Sequence, residues 1–446
     1  MTRHSTVARR DLIEDEIESC ETATSAWPPR RLGIVVGSLM RGGAETHLAQ
    51  ILPELVRRGH EVSVFVVGPF GPIAEELAGA GISLVPQRPV PVPQRAPRLI
   101  RLLVRYIQLT ALFLPFAFRH RNGILHFFLP EAMIFGGLLT LPWHRRLVAS
   151  QRSLFSYRAK HSALLTWLER LVLRRMRLVL ANSRCVANLV AQDGVGRDKV
   201  RVLYNGLSPE RLSPCEADRR RLRTALGIQP STFVITTLAN LFPYKGHADL
   251  VSALGSLNAA RALGDDWTLV CIGRDVGEDG TELMHRRSES NQRRLMQLAQ
   301  RLGIASRIHF LGERADAPSL LRIADLAVLA SHEEGFSNAL IEKMAAGLPI
   351  VATAVGGNGE ALDNGRLGML VPSHDPDALA AAIRRLFQSP QMRAEFSNRA
   401  RARALAEYSL VRCVDEYEET YAQLFAEDAA ATSHTALPQA QLEPSS

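Results

Sequence analysis

Apolar residues occur along this chain in short continuous runs, each followed by a longer stretch in which they return every three or four positions. The first set of runs is Leu32 to Val36, Val62 to Val67, Ile124 to Phe127, Leu147 to Ala149, Leu178 to Ala181 and Val200 to Leu203. The second is Phe233 to Leu238, Thr268 to Ile272, Ile308 to Leu311, Leu326 to Leu329, Ile350 to Ala354 and Met369 to Val371. A strand that is apolar on both faces belongs inside a sheet covered by helices. The alternation therefore predicts an α/β protein built on two doubly wound parallel sheets. Between the sets, residues 208–231 carry Pro209, Pro214 and Pro230 and read as a linker. The expected division is 31–207 for the first domain and 232–405 for the second. Two such domains facing one another would leave a cleft for a ligand.

Composition narrows the class. A chain of 446 residues exceeds one ordinary core, and 46% hydrophobic with 22% charged residues suits a soluble globular protein. Its five cysteines are odd in number and form no Cys-x-x-Cys pair, which points to a reducing compartment and away from a disulfide framework or a zinc site. Residues 1–30 place Glu14, Asp15, Glu16 and Glu18 where an export signal needs an apolar core, so a cytoplasmic protein is expected. This stretch, and the Ala, Ser, Gln and Pro-rich tail 428–446, read as disordered.

The densest chemistry follows the run Leu326 to Leu329. Here the chain reads Ser331-His332-Glu333-Glu334-Gly335-Phe336-Ser337-Asn338, then a helical pattern through Ala346, then Gly347-Leu348-Pro349. Residues beyond a strand's carboxyl end sit where an open parallel sheet binds its ligand. Gly335 turns the chain, and the first-turn amides of the following helix lack partners inside it, which makes that end a phosphate site. Glu334 precedes the turn and Glu342 follows eight positions later, so the two can flank one elongated ligand.

This block resembles the donor-binding signature of the retaining glycosyltransferases of family 4, with its Glu-x7-Glu pair and following Ala-Gly-x-Pro. The resemblance spans roughly Leu32 to Phe425, because Met40-Arg41-Gly42-Gly43-Ala44-Glu45, Val202-Leu203-Tyr204-Asn205-Gly206 and Tyr244-Lys245-Gly246-His247 stand in the same order. It implies the GT-B fold, two Rossmann-like domains with a last helix, residues 406–427, crossing back to the first. It further implies that Glu334 holds the donor sugar and Glu342 the ribose, while amides at Gly335, Phe336, Ser337 and Asn338 meet the diphosphate. Lys245 would add a positive charge, and Gly42 and Gly43 would let backbone approach the same phosphates. A nucleotide-diphosphate sugar is then the co-substrate, with no cofactor and no metal.

The chain departs from the family pattern at three places, of which the Asn338 to Ile341 variant of the signature keeps the glutamate spacing and alters only minor contacts. The arginine that usually precedes the lysine of Lys-Gly is Asn240 here, and Arg274, after the next strand, could replace its charge. In Leu125-His126-Phe127-Phe128 the second histidine of the usual His-x-His is Phe128. His126 remains as a catalytic candidate or as a core histidine.

Charge bears on the acceptor. Residues 91–180 hold fifteen Lys plus Arg against two acidic residues, a net of +13, whereas the whole chain is +8. Arg98, Arg101 and Arg105 lead into the apolar run Tyr106 to Phe118, followed by Arg119 and Arg121; the run reads as too short to span a bilayer and as a buried or interfacial helix. Such a face suits a peripheral enzyme on an anionic inner membrane surface. An ordinary solvated basic face is the other reading, and nucleic acid is not expected, since no recognition motif accompanies the charge. The expectation is a retaining, metal-independent glycosyltransferase acting on a lipid-linked or polysaccharide acceptor in glycan assembly. A GT-B sugar-nucleotide epimerase and a catalytically silent partner subunit are the alternatives.

Overall fold

The computed structural model describes residues 27–86, 97–155, 158, 162–208, 212, 215–277 and 290–435. Most of the expected N-terminal disorder, and the tail after Thr435, lie outside the described residues. The strands are β1 (Arg31–Val36), β2 (Glu61–Val66), β3 (Ser83–Val85), β4 (Ile124–Phe128), β5 (Leu147–Gln151), β6 (Leu178–Ala181) and β7 (Val200–Val202). They continue with β8 (Phe233–Leu238), β9 (Trp267–Ile272), β10 (Ile308–Phe310), β11 (Leu326–Leu329), β12 (Ile350–Thr353) and β13 (Met369–Val371). They form a seven-stranded sheet in the order β3-β2-β1-β4-β5-β6-β7 and a six-stranded sheet in the order β10-β9-β8-β11-β12-β13. The described strand pairs are parallel. The fold is thus two Rossmann-like parallel-sheet regions. In each, strand order reverses beside the first strand of the set, between β1 and β4 and between β8 and β11, and such reversals are where open α/β sheets bind ligands.

The apolar strands are two-sided, as their composition requires. In the second sheet Val234, Val270, Ile272, Ala327, Leu329, Ile350 and Ala352 join one core cluster. Their neighbours Ile235, Leu269, Cys271, Leu326, Val328 and Val351 join the other. Alternate side chains serve opposite faces, so both sets of positions are mostly apolar, and the buried Thr236 hydroxyl donates to the Val270 carbonyl.

The chain divides into two compact units, one of residues up to Val148 with those from Val414 onward, the other Ala149–Cys413. The linker stretch contains a ten-residue helix, Glu216–Ala225. Its polar sequence hides it from a hydrophobic reading, because charge docks it: the Arg223 guanidinium is buried, donating to the carbonyls of Ile323, Pro230 and Thr232 and to Asp325. Asp325 also accepts from Arg219 and from the Val234 amide. The apolar run after Arg105 is the middle of a 22-residue helix, Arg98–Arg119. By length and composition its Leu99–Arg119 portion, longer than the Tyr106 to Phe118 run read from the sequence, is sufficient to cross a membrane.

The last helix, Leu410–Thr435, extends beyond Asp428, where the tail was expected to begin. In the first unit it carries Glu418, which accepts from Arg58 at 2.7 Å and contacts His60 at 2.7 Å; side-chain exposure is 2–3% for all three. Removing Glu418 takes from buried His60 its carboxylate and leaves buried Arg58 with Asp415 and Glu54. We expect Glu418→Ala to lower the stability of the first unit by about 3–5 kcal/mol in denaturant unfolding; a loss within the scatter of surface substitutions would show that Arg58 and His60 find other partners.

Candidate active site

The β8–β11 reversal brings two loops together. After β8 the chain runs through a short helical turn, Pro243–Lys245, to Gly246, whose φ is 68°. A Cβ there would lie 1.9 Å from the Ala330 carbonyl oxygen, so only glycine lets this loop lie against the end of β11. The approach carries Lys245 Nζ to 2.7 Å from Glu334 Oε1, which also accepts from the Ser331 hydroxyl at 2.7 Å. Burial alone would lower the Lys245 ammonium; Glu334, with Tyr244 and Glu333, outweighs it and holds the ammonium above its ordinary value.

The signature loop is held from its other side as well. Gly356 (φ 51°) abuts the Glu334 carbonyl and Gly335 abuts the Arg152 carbonyl, at distances a Cβ would reduce to 1.5 and 2.4 Å. The Gly357 amide and the Ser183 hydroxyl both donate to the Gly335 carbonyl. Ser337 caps the helix Asn338–Ala345, accepting from the Leu340 amide. Phe336 is buried, its ring 5.2 Å from Tyr204 and 5.3 Å from Tyr408. The Asn338 side chain accepts from Asn205, which in turn accepts from Arg152. Glu342, half-buried one turn into the helix, has its carboxyl pushed up to about 7 by burial, against the pull of Lys343.

Of the remaining second-unit candidates, Asn240 bonds to backbone through its side chain and Arg274 through its own main chain. Asn240, expected at the diphosphate, accepts from the Arg274 amide at 2.9 Å, while the Leu241 amide donates to the Arg274 carbonyl. The two residues therefore tie the loops after β8 and β9 to each other. In the first unit, Gly42 is the N-cap of the helix Gly43–Arg57, and a Cβ added at Gly43 would meet nothing within 4 Å. His126 is completely buried on β4, its Nδ1 2.8 Å from the Tyr421 hydroxyl and its ring 4.3 Å from Phe128. Full burial favours the core-histidine reading of the two.

Asn205, Arg152 and Lys343 went unpredicted. Asn205 stood in a recognised motif without a role. Lys343 had a visible signal, a lysine inside the apolar stripe Leu340, Ile341, Met344 and Ala345. It is fully buried, and its Nζ has no hydrogen-bond partner among the described residues. Burial pulls its ammonium down to about 8, with Glu342 and Glu334 opposing.

The comparisons with known proteins agree with this architecture. The model described as Glycosyltransferase Family 4 matches residues 41–211, and that described as Glycosyl transferases group 1 matches residues 218–403. Fold and sequence thus define a GT-B-type protein. The chain belongs to glycosyltransferase family 4. It is similar to the D-inositol 3-phosphate glycosyltransferase of Salinispora tropica, 30% identical over 266 residues, 58% of this chain and 53% of that protein. It also resembles the protein of that name from Acidothermus cellulolyticus, 27% identical over 413 residues, 86% of this chain and 88% of the relative. The matches to the first three curated relatives span about half of their length. Among solved structures, Anabaena HepE in complex with UDP and glucose aligns over 88% of this chain and 100% of its own, with TM-score 0.74 and 23% identity. WaaG, a glycosyltransferase involved in lipopolysaccharide biosynthesis, aligns over 86% and 99%, with TM-score 0.65 and 18% identity.

The buried lysine gives a test by pH. Its ammonium titrates near 8 in the folded protein and near 10.5 when exposed. Folding therefore loses stability as pH falls from about 10.5 to about 8, and Lys343→Met should be more stable than the parent near pH 7 by about 1–3 kcal/mol, the advantage shrinking as pH rises toward 10. Chemical unfolding of both proteins at pH 7.5 and 9.5 measures it; a constant difference would show that the lysine is not desolvated.

Proposed function

We propose that this chain transfers a sugar, with retention of configuration, from a nucleotide-diphosphate sugar to a lipid-linked or polysaccharide acceptor on the cytoplasmic face of a membrane. The Lys245–Glu334 pair at the β8–β11 reversal carries the reading. Departure of a nucleoside diphosphate needs positive charge on its phosphates and a grip on the sugar, and these two residues supply both from fixed backbone. Lys245 would neutralise the leaving diphosphate with the amides around Phe336 and Ser337, no metal ion being required there. Glu334 would accept sugar hydroxyls, and Glu342 the ribose hydroxyls. A UDP-sugar is the first donor to test, since HepE carries UDP and glucose. Gly42 and Gly43 fit a supporting approach of backbone to ligand.

The silent-subunit reading is favoured by two observations: Phe128 occupies the usual histidine position, and Asn240 is engaged with the Arg274 backbone. Variants separate the readings. Glu334→Gln should lower turnover more than about tenfold while nucleoside diphosphate binding survives, and Glu342→Ala should weaken that binding by a similar factor. Equal turnover in Glu334→Gln and parent would remove the signature from catalysis. Binding without turnover of any sugar nucleotide by the parent, across a panel of acceptors, would select the silent subunit.

Membrane attachment is supported by the helix Arg98–Arg119, whose Leu99, Leu103, Ile107 and Phe118 are 80, 62, 59 and 59% exposed. Its arginines are partly committed, Arg105 to the Val67 carbonyl and Arg119 to Glu61, so apolar insertion outweighs charge. The protein should co-sediment with vesicles containing anionic phospholipid, and replacing Leu99, Leu103 and Ile107 together by glutamine should abolish this without changing the unfolding midpoint. Unchanged sedimentation of that variant would exclude the helix as the attachment site.

A further inference from the structure

On the flank of the Lys245–Glu334 site, the first turn of the helix His247–Ala259 and the loops after β11 and β13 bring Asp249, His332 and His374 together, one metal-binding atom from each lying within 4.8 Å of the others. His332 Nε2 is 2.8 Å from Asp249 Oδ2, and the two imidazole rings are 3.6 Å apart between centroids. His374 is exposed and adopts φ 58°, a left-handed conformation disfavoured for most side chains though less so for histidine. We propose that these residues form a binding site for a divalent transition ion of the zinc class, one that clamps the helix His247–Ala259 to the loops after β11 and β13.

The chemistry fits. Two imidazoles and one carboxylate are a common zinc donor set, leaving a fourth position for water. Bonds of about 2.0–2.1 Å in tetrahedral geometry place ligand atoms roughly 3.3 Å apart. The Asp249–His332 contact must open slightly and the His374 ring approach, both within reach of side-chain torsions. Half-burial of Asp249 and His332 and exposure of His374 give the ion a path from solvent. No local sequence pattern announces the site, because its ligands are 83 and 42 positions apart. An ion there would fix His332, two residues before Glu334, and Asp249, in the first turn after Lys245, while standing outside the transfer chemistry.

The test uses the full chain, free of any affinity tag and stripped with chelator. Zn2+ titration should give one ion per chain, Co2+ should produce ligand-field absorption of a His/carboxylate site, and either ion should raise the melting temperature. His374→Asn keeps a residue that tolerates the left-handed backbone, and His332→Gln keeps a polar group. Each should weaken binding at least tenfold, since loss of even an outer partner of a metal ligand costs about 10–100-fold. His309→Ala, an exposed histidine elsewhere in the same unit, should bind as the parent does. Absence of stoichiometric binding in the parent, or equal affinity in His374→Asn and parent, would overturn the proposal. The metal-free melting temperatures of the variants establish that they are folded.

Discussion

The second unit's site depends on backbone pressed against backbone. Gly246 lets the loop after β8 touch the end of β11, and Gly356 lets the loop after β12 touch Glu334 from the other side; any Cβ would stand within 2 Å of a carbonyl oxygen at both places. Both glycines have positive φ, so two requirements, space and conformation, exclude other residues. Between them the Glu334 backbone has nowhere to move, and the 2.7 Å approach of Lys245 follows. The pair is a weak source of stability, because desolvating two ions offsets most of their attraction. Its value is orientation. In the proposed reaction a phosphate at Lys245 would meet an ammonium already ordered, and a sugar at Glu334 would meet a carboxylate held by Lys245 and Ser331.

Buried charge recurs around that centre and works in opposite directions. Asp325 and Arg223 are matched, each bond donor facing an acceptor, and they dock a polar helix that hydrophobic packing alone would not hold. Lys343 and Glu342 are unmatched: adjacent on one helix, one is pulled down to about 8 and the other pushed up to about 7. Near neutral pH the charged and neutral forms of both groups lie close in free energy, whereas an ordinary lysine and glutamate would be fully ionised. His247, pushed down to about 3 by burial and then by Lys245 and Lys343, stays neutral beside them. The positive field behind the signature helix thus rests on Lys245 and Lys343, in a chain with asparagine where an arginine is usual.

What the sequence disclosed follows which forces are local. Strands buried on both faces announce themselves as apolar runs, and most of the thirteen strands among the described residues were legible for that reason, β7 and β10 being less buried. β3 was not, being three residues long with Ser83 exposed. The helix Glu216–Ala225 was illegible because an ion pair more than a hundred positions distant holds it. Gly335, Glu334 and Lys245 stood out in the sequence because they lie in short motifs, and the structure brings Lys245 against Glu334. The fates of Asn240 and His126 were not, since each is decided by a partner far along the chain, Arg274 and Tyr421, which no spacing rule connects.

The helix Arg98–Arg119 illustrates how a tertiary contact decides between readings that composition leaves equal. Its length satisfies a membrane crossing. Yet Leu109, Phe113, Phe116 and Ala117, all in its second half, are buried, and Phe113 packs edge-on against Phe65 of β2 at 5.1 Å. A crossing would require those residues to leave the core, exchanging packed aromatic contacts for lipid with no gain in apolar burial. The first half has no such commitment: Leu99, Leu103 and Ile107 recur every four residues along one exposed stripe. A helix anchored at one end and apolar on its free face at the other lies along an interface more readily than it spans one, and under the proposed attachment that geometry would bring the folded unit, not merely the helix, to the surface where a lipid-linked acceptor would reside.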